Sequence, residues 1–165
     1  MMKLFVLFCV AVACQAKNLD DPLDAIYGNY KLIQTWPKIK GEVVNCSPVA
    51  VSRSGANTEH CKCGRSSANP ELFAVEARSK KFVLLADVVH NVDELKLALN
   101  DKCSCTGESH DHNVVYRIND NYIMHYETAI SKAFLMGKTV PTADEVKSLV
   151  AGLDLDENDS SLVCQ

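Results

Sequence analysis

The sequence is short of most features that announce chemistry or a membrane. Its 165 residues hold no Gly-x-Ser-x-Gly turn, no glycine-rich phosphate loop and no paired-carboxylate context. Neither an acyl-transfer nucleophile nor a nucleotide cradle is therefore signalled, and no enzyme activity is expected. No apolar run reaches the roughly 20 residues that cross a bilayer as a helix. There is no lysine-rich tract, and 17 basic against 21 acidic residues give a formal charge of −4. That sign argues against nucleic acid or an anionic membrane surface as partner. Internal repeats and low-complexity segments are missing too. What remains is one domain large enough to bury an ordinary core.

The first residues are distinctive. Met1-Met2-Lys3 precedes an uncharged stretch from Leu4 to Ala13, and small residues follow at Cys14 and Ala16. This pattern predicts a secretory signal peptide over residues 1–16, with residues 17–165 as the mature domain; a bacterial lipobox around Cys14 is the competing interpretation. Six of the eight cysteines follow it: Cys46, Cys61, Cys63, Cys103, Cys105 and Cys164. An even count in an exported chain reads as a disulfide framework. Cys61/Cys63 and Cys103/Cys105 are Cys-x-Cys pairs. In a strand, residues two apart share a face, so facing antiparallel strands would give Cys61–Cys105 and Cys63–Cys103 rungs. A four-sulfur metal site is the alternative, although its usual spacing separates the ligands by two residues. Two glycosylation sequons, at Asn45 and Asn158, fit the same secreted, extracellular location.

From Tyr27 onward, short alternating segments are broken by turn residues, which is the pattern of a meander sheet. Tyr30, Leu32, Gln34 and Trp36 are expected on one face, with Pro37 ending the strand. Further strand-like pieces lie at 43–53, 60–64, 72–78, 82–86, 114–118, 122–128 and 133–139. Residues 92–99 fit either a strand (Leu95, Leu97, Leu99) or a helix capped by Asp93, and 100–113 read as a polar loop. One helix is clear: Thr142 and Glu145 form a capping box, and Val146, Leu149, Val150 and Leu153 fall on one face. The expected fold is thus all-β, an eight-stranded up-and-down antiparallel barrel with one C-terminal α-helix.

Gly28-Asn29-Tyr30-Lys31-Leu32-Ile33-Gln34-Thr35-Trp36-Pro37 resembles the opening strand of the lipocalins, especially insect bilin-binding and related carriers. Tyr30 stands where that family has Trp. Asn121 to Tyr126 and Leu135 to Thr142 resemble the last two strands and the approach to the helix, with Lys138 where the family has Arg. The resemblance covers roughly residues 20–53 and 113–165. It implies that Gly28, Tyr30, Trp36 and Lys138 form the closed-end motif, with the Lys138 cation over the Tyr30 ring. It also implies that Cys46 bonds the tail at Cys164.

The function implied is secreted carriage of a small hydrophobic ligand, such as a pigment, odorant or lipid, inside the barrel. Lining residues are expected at Phe73, Phe82, Leu84, Tyr116, Tyr122, Met124 and Phe134, a set that inverts if strand parity slips by one. The alternative is a secreted interaction or inhibitor protein with a filled barrel, acting on an extracellular protein partner through its surface. No cofactor or metal is expected. His110-Asp111-His112 is a weak ion-binding pattern, and His125 or His90 would be the ligand were haem bound.

Overall fold

The computed structural model describes residues 25–39, 46–55, 61–63, 71–77, 80–101, 103–105 and 111–164. The expected signal peptide, the Asn45 sequon and His110 lie outside these residues. The elements run β1 (Gly28–Trp36), β2 (Pro48–Arg53), β3 (Cys61–Cys63), β4 (Glu71–Ala77), β5 (Lys80–Val89), α1 (Val92–Asn100), β6 (Cys103–Cys105), β7 (His112–Arg117), β8 (Tyr122–Glu127), β9 (Lys132–Gly137), α2 (Ala143–Val150) and β10 (Ser161–Leu162).

Seven strands close into a barrel in the order β1, β2, β4, β5, β7, β8, β9, with β9 returning to pair with β1. The expected barrel is present, but not its eight-stranded, wholly antiparallel form. The β5–β7 pair is parallel, from Leu85 opposite His112 to Val89 opposite Tyr116. The cause lies in the ambiguous segment. Residues 92–100 are helical, and a strand–helix–strand crossover brings the chain back in the same direction. Side-chain burial explains the choice. Leu95 and Ala98 are buried on one helical face, whereas Leu97, which a strand would align with Leu95 and Leu99, is 63% exposed. The helix is capped by Asn91, whose side chain accepts from the Glu94 N–H at 2.8 Å, rather than by Asp93.

A second difference is in β1. The register slips between Leu32 and Gln34: Leu32 faces Met136, while Gln34 faces Leu135. Such a bulge switches the side of the sheet that later residues occupy. Tyr30 and Leu32 therefore belong with the inner residues. Trp36 packs on the outside with Val89, Tyr126 and Leu153, not on the Tyr30 face.

The C-terminal helix forms as the sequence indicates. Thr142 accepts from the Glu145 N–H at 3.3 Å, and the Glu145 carboxylate accepts from the Thr142 N–H at 2.7 Å. That bond to the Thr142 backbone holds the Glu145 carboxyl below its ordinary pKa. Val146 and Val150 are buried against the outer wall with Leu153. Beyond the helix, β10 pairs with Gln34 and Thr35, taking over the edge of β1 that β2 leaves at Lys31. Cys46 and Cys164 form a disulfide across this junction, with Cα atoms 4.7 Å apart.

The stretch expected to be loop over 100–113 contains β6, which pairs with β3 as a separate two-stranded sheet. Its register sets Cys61 opposite Cys105 and Cys63 opposite Cys103. This is the antiparallel arrangement that a two-rung ladder requires; the four side chains lie outside the described part.

Candidate functional site

Inside the barrel, strand alternation divides the space into two zones. Tyr30, Val51, Ala86, Val115 and Ile123 meet in one buried cluster with Val49, Met136 and Ile26, and they fill one end. The Tyr30 hydroxyl donates to the Ile26 carbonyl at 2.9 Å. Burial, partly opposed by the nearby Arg117 charge, pushes its pKa up to about 12. Lys138 Nζ lies 5.6 Å from the centre of the Tyr30 ring, so the expected cation over this ring is found. Gly28 begins the strand at φ +149°, and a Cβ there would reach the Lys138 and Tyr30 side chains.

The other zone is open. A cavity of about 290 Å³ is lined by Leu32, Val49, Val75, Ala77, Phe82, Leu84, His125, Glu127, Phe134 and Met136. Its floor is shared with the packed cluster through Val49 and Met136. Phe82 stands 48% exposed at the rim.

Of the seven side chains expected to line the cavity, Phe82, Leu84 and Phe134 do so. Phe73 pairs in the ladder with Arg53 and Leu84, and its side chain lies outside the described part. Tyr116, Tyr122 and Met124 are on the opposite face. Met124 is fully buried in the outer cluster, and Tyr116 and Tyr122 pack against that cluster and border a groove beside α2. Tyr122 Oη and Thr139 Oγ1 share a hydrogen bond at 2.9 Å. The physical reason for this correction is that α1 and α2 cover the outer wall. His112 to Val115 are buried without a break, so β7 loses the alternation from which inward residues are recognised.

Two polar residues of the cavity were not expected to act there together. His125 follows Ile123 on the inner face of β8, and Glu127 follows His125. The His125 ring stacks on Phe134 with centroids 5.5 Å apart, and its Nε2 is 2.7 Å from Asn113 Oδ1. The Asn113 amide nitrogen already donates to the carbonyls of Leu85 and Asp111, so its oxygen accepts and His125 Nε2 must carry the proton. Desolvation lowers the His125 pKa to about 4, which leaves the ring neutral at physiological pH.

Outside the barrel, Asp87 and His112 form a buried pair, Oδ2 to Nε2 3.1 Å, joining β5 to β7. The expected His110-Asp111-His112 pattern includes His110, which lies outside the described residues. Among the described residues no group of three or more His, Cys, Asp or Glu could hold a metal ion. His90 is exposed at the start of α1, away from the cavity. Asn158 is exposed in a 3₁₀ turn, Glu157–Asp159. No described helix is long and apolar enough to cross a membrane.

No family model, curated protein or solved structure matches this chain. The site must speak through its own chemistry.

Proposed function

We propose that the chain is a secreted, lipocalin-like carrier that binds one small hydrophobic molecule in the open half of its barrel. The observation that carries this reading is the largely apolar, open-mouthed cavity of about 290 Å³ inside the closed sheet. At about 30 Å³ per water it has room for roughly ten, which corresponds to a ligand of about ten to fifteen non-hydrogen atoms. Among the ligand classes the resemblance implies, an odorant-sized molecule fits; a tetrapyrrole pigment or long lipid would protrude. A ligand surrendering about 300 Å² of apolar area gains on the order of 7 kcal/mol, before the entropy of immobilisation is subtracted.

Supporting features are the Lys138–Tyr30 contact at the closed end and the Cys46–Cys164 bond that ties the tail to the wall. A disulfide also suits the oxidising compartment to which residues 1–16 would direct the chain. The packed half of the interior favours the alternative, a secreted protein that meets an extracellular partner through its surface.

Titration of the mature protein with an apolar naphthylamine dye separates the two. The carrier reading expects saturable, single-site fluorescence enhancement that is lost when Leu84→Trp fills the cavity. Absence of uptake, or uptake indifferent to that substitution, overturns it in favour of the surface-acting protein.

A further inference from the structure

We infer that the cavity selects ligands with a hydrogen-bond donor at one end, and that a protonated amine on a small apolar body is the chemical class it takes. This inference rests on the carrier reading and adds to it the polar half of the recognition. The walls offer Leu32, Val75, Leu84 and their aliphatic neighbours, with the rings of Phe82 and Phe134; none of these donates a hydrogen bond. The polar side chains lining the cavity are His125 and Glu127, and both present acceptors.

For His125 the acceptor is fixed by its neighbours. Nε2–H is committed to Asn113, so Nδ1 carries the lone pair. The low pKa keeps that lone pair available. For Glu127, no cation among the described residues lies within salt-bridge distance of the carboxylate. Its ladder partner Lys132 stands directly opposite on β9 and, like Glu127, borders the groove beside Trp36; of the two, Glu127 alone also lines this cavity. Residues two apart on a strand face the same way with about 7 Å between their Cα atoms. The two acceptors therefore face the same side of β8 and line the one cavity.

An acid entering this space would set its carboxylate against Glu127 and find no donor. An alcohol could satisfy one acceptor. An ammonium group has three donors, enough for Nδ1 and the carboxylate together, and it neutralises a charge that ligand burial would otherwise desolvate. The rings of Phe82 and Phe134 on the same cavity add faces that attract a cation. The ammonium would sit at the mouth between His125 and Glu127, with the apolar body directed toward Leu32 and Met136.

The test is isothermal titration of the mature protein with three probes of one body: 4-phenylbutylamine, 4-phenylbutanol and 4-phenylbutyrate. The amine should bind at least about tenfold more tightly than the alcohol, and the acid most weakly. Glu127→Gln, with its melting curve checked against the parent, should remove most of the amine's advantage while leaving the alcohol unchanged. Equal binding of all three, or preference for the acid, overturns the amine inference and leaves the carrier standing. An amine preference that survives Glu127→Gln overturns the role given to this carboxylate. Failure of all three probes, together with failure of dye uptake, overturns the carrier itself.

Discussion

His125 shows how much a single side chain depends on neighbours distant in the sequence. As a residue in a strand it can be singled out, but only as a candidate inward histidine for haem. Its protonation state and its free nitrogen are decided by Asn113, across the β7–β8 hairpin, and nothing local marks Asn113 as important. The consequence for stability can be signed. The ring's ordinary pKa near 6.5 falls to about 4 in the fold, so the folded protein resists protonation that the unfolded chain accepts. Stability is full above about pH 6.5 and falls as the pH drops toward 4. The expected loss between pH 7 and pH 4.5 is on the order of 1–3 kcal/mol from this group. Urea unfolding at the two pH values, compared between the parent and His125→Gln, checks it: the variant should lose a distinctly smaller share of its stability on acidification.

At the scale of elements, success followed local signals. The α2 capping box is written in four adjacent residues and forms as read. Thr142→Ala should cost about 1 kcal/mol, measured as a lowered denaturation midpoint with an unchanged slope. The β7–β8 hairpin likewise forms across Asn119-Asp120-Asn121, where the Asn119 side chain accepts from the N–H groups of Asn121 and Tyr122. The failures came where tertiary context overrode alternation. Tyr116, Tyr122 and Met124 are apolar because helices and tail cover the outer wall, so an apolar residue in these strands carries no information about which side it faces. Trp36 leaves the expected face for a different reason. One extra residue in β1 is invisible to a period-two pattern, yet it sends the ring to the other side.

For the whole molecule, the sequence announced a barrel with a pinned tail but not its strand count or direction. The direction turned on one nine-residue segment, where three leucines suit either state and only the burial of Ala98 against exposure of Leu97 decides; the count turned on the strand expected at 60–64, since β3 pairs with β6 outside the barrel. The pinned tail was implied by the resemblance to the lipocalins, with Cys46 after the first strand and Cys164 in the tail, and that bond is present. It closes a loop with a sequence separation of 118, long enough that its loss should cost about 2–4 kcal/mol. Cys164→Ser is expected to lower the melting temperature accordingly, and calorimetry of parent and variant checks it. The cavity could not be read in advance, because vacancy depends on how large side chains from seven strands meet, not on any one of them.

Closure of β9 onto β1 also bears on how the molecule behaves toward its own copies. A ring of strands has its backbone donors and acceptors engaged on both sides, and β10 covers the stretch of β1 that β2 leaves. Strand-by-strand recruitment of a second chain, the route by which exposed sheets grow into fibrils, therefore finds no starting rail along this circuit. Proteolytic loss of β9 would undo that protection at two places together, since β1 and β8 would both be stripped of a partner.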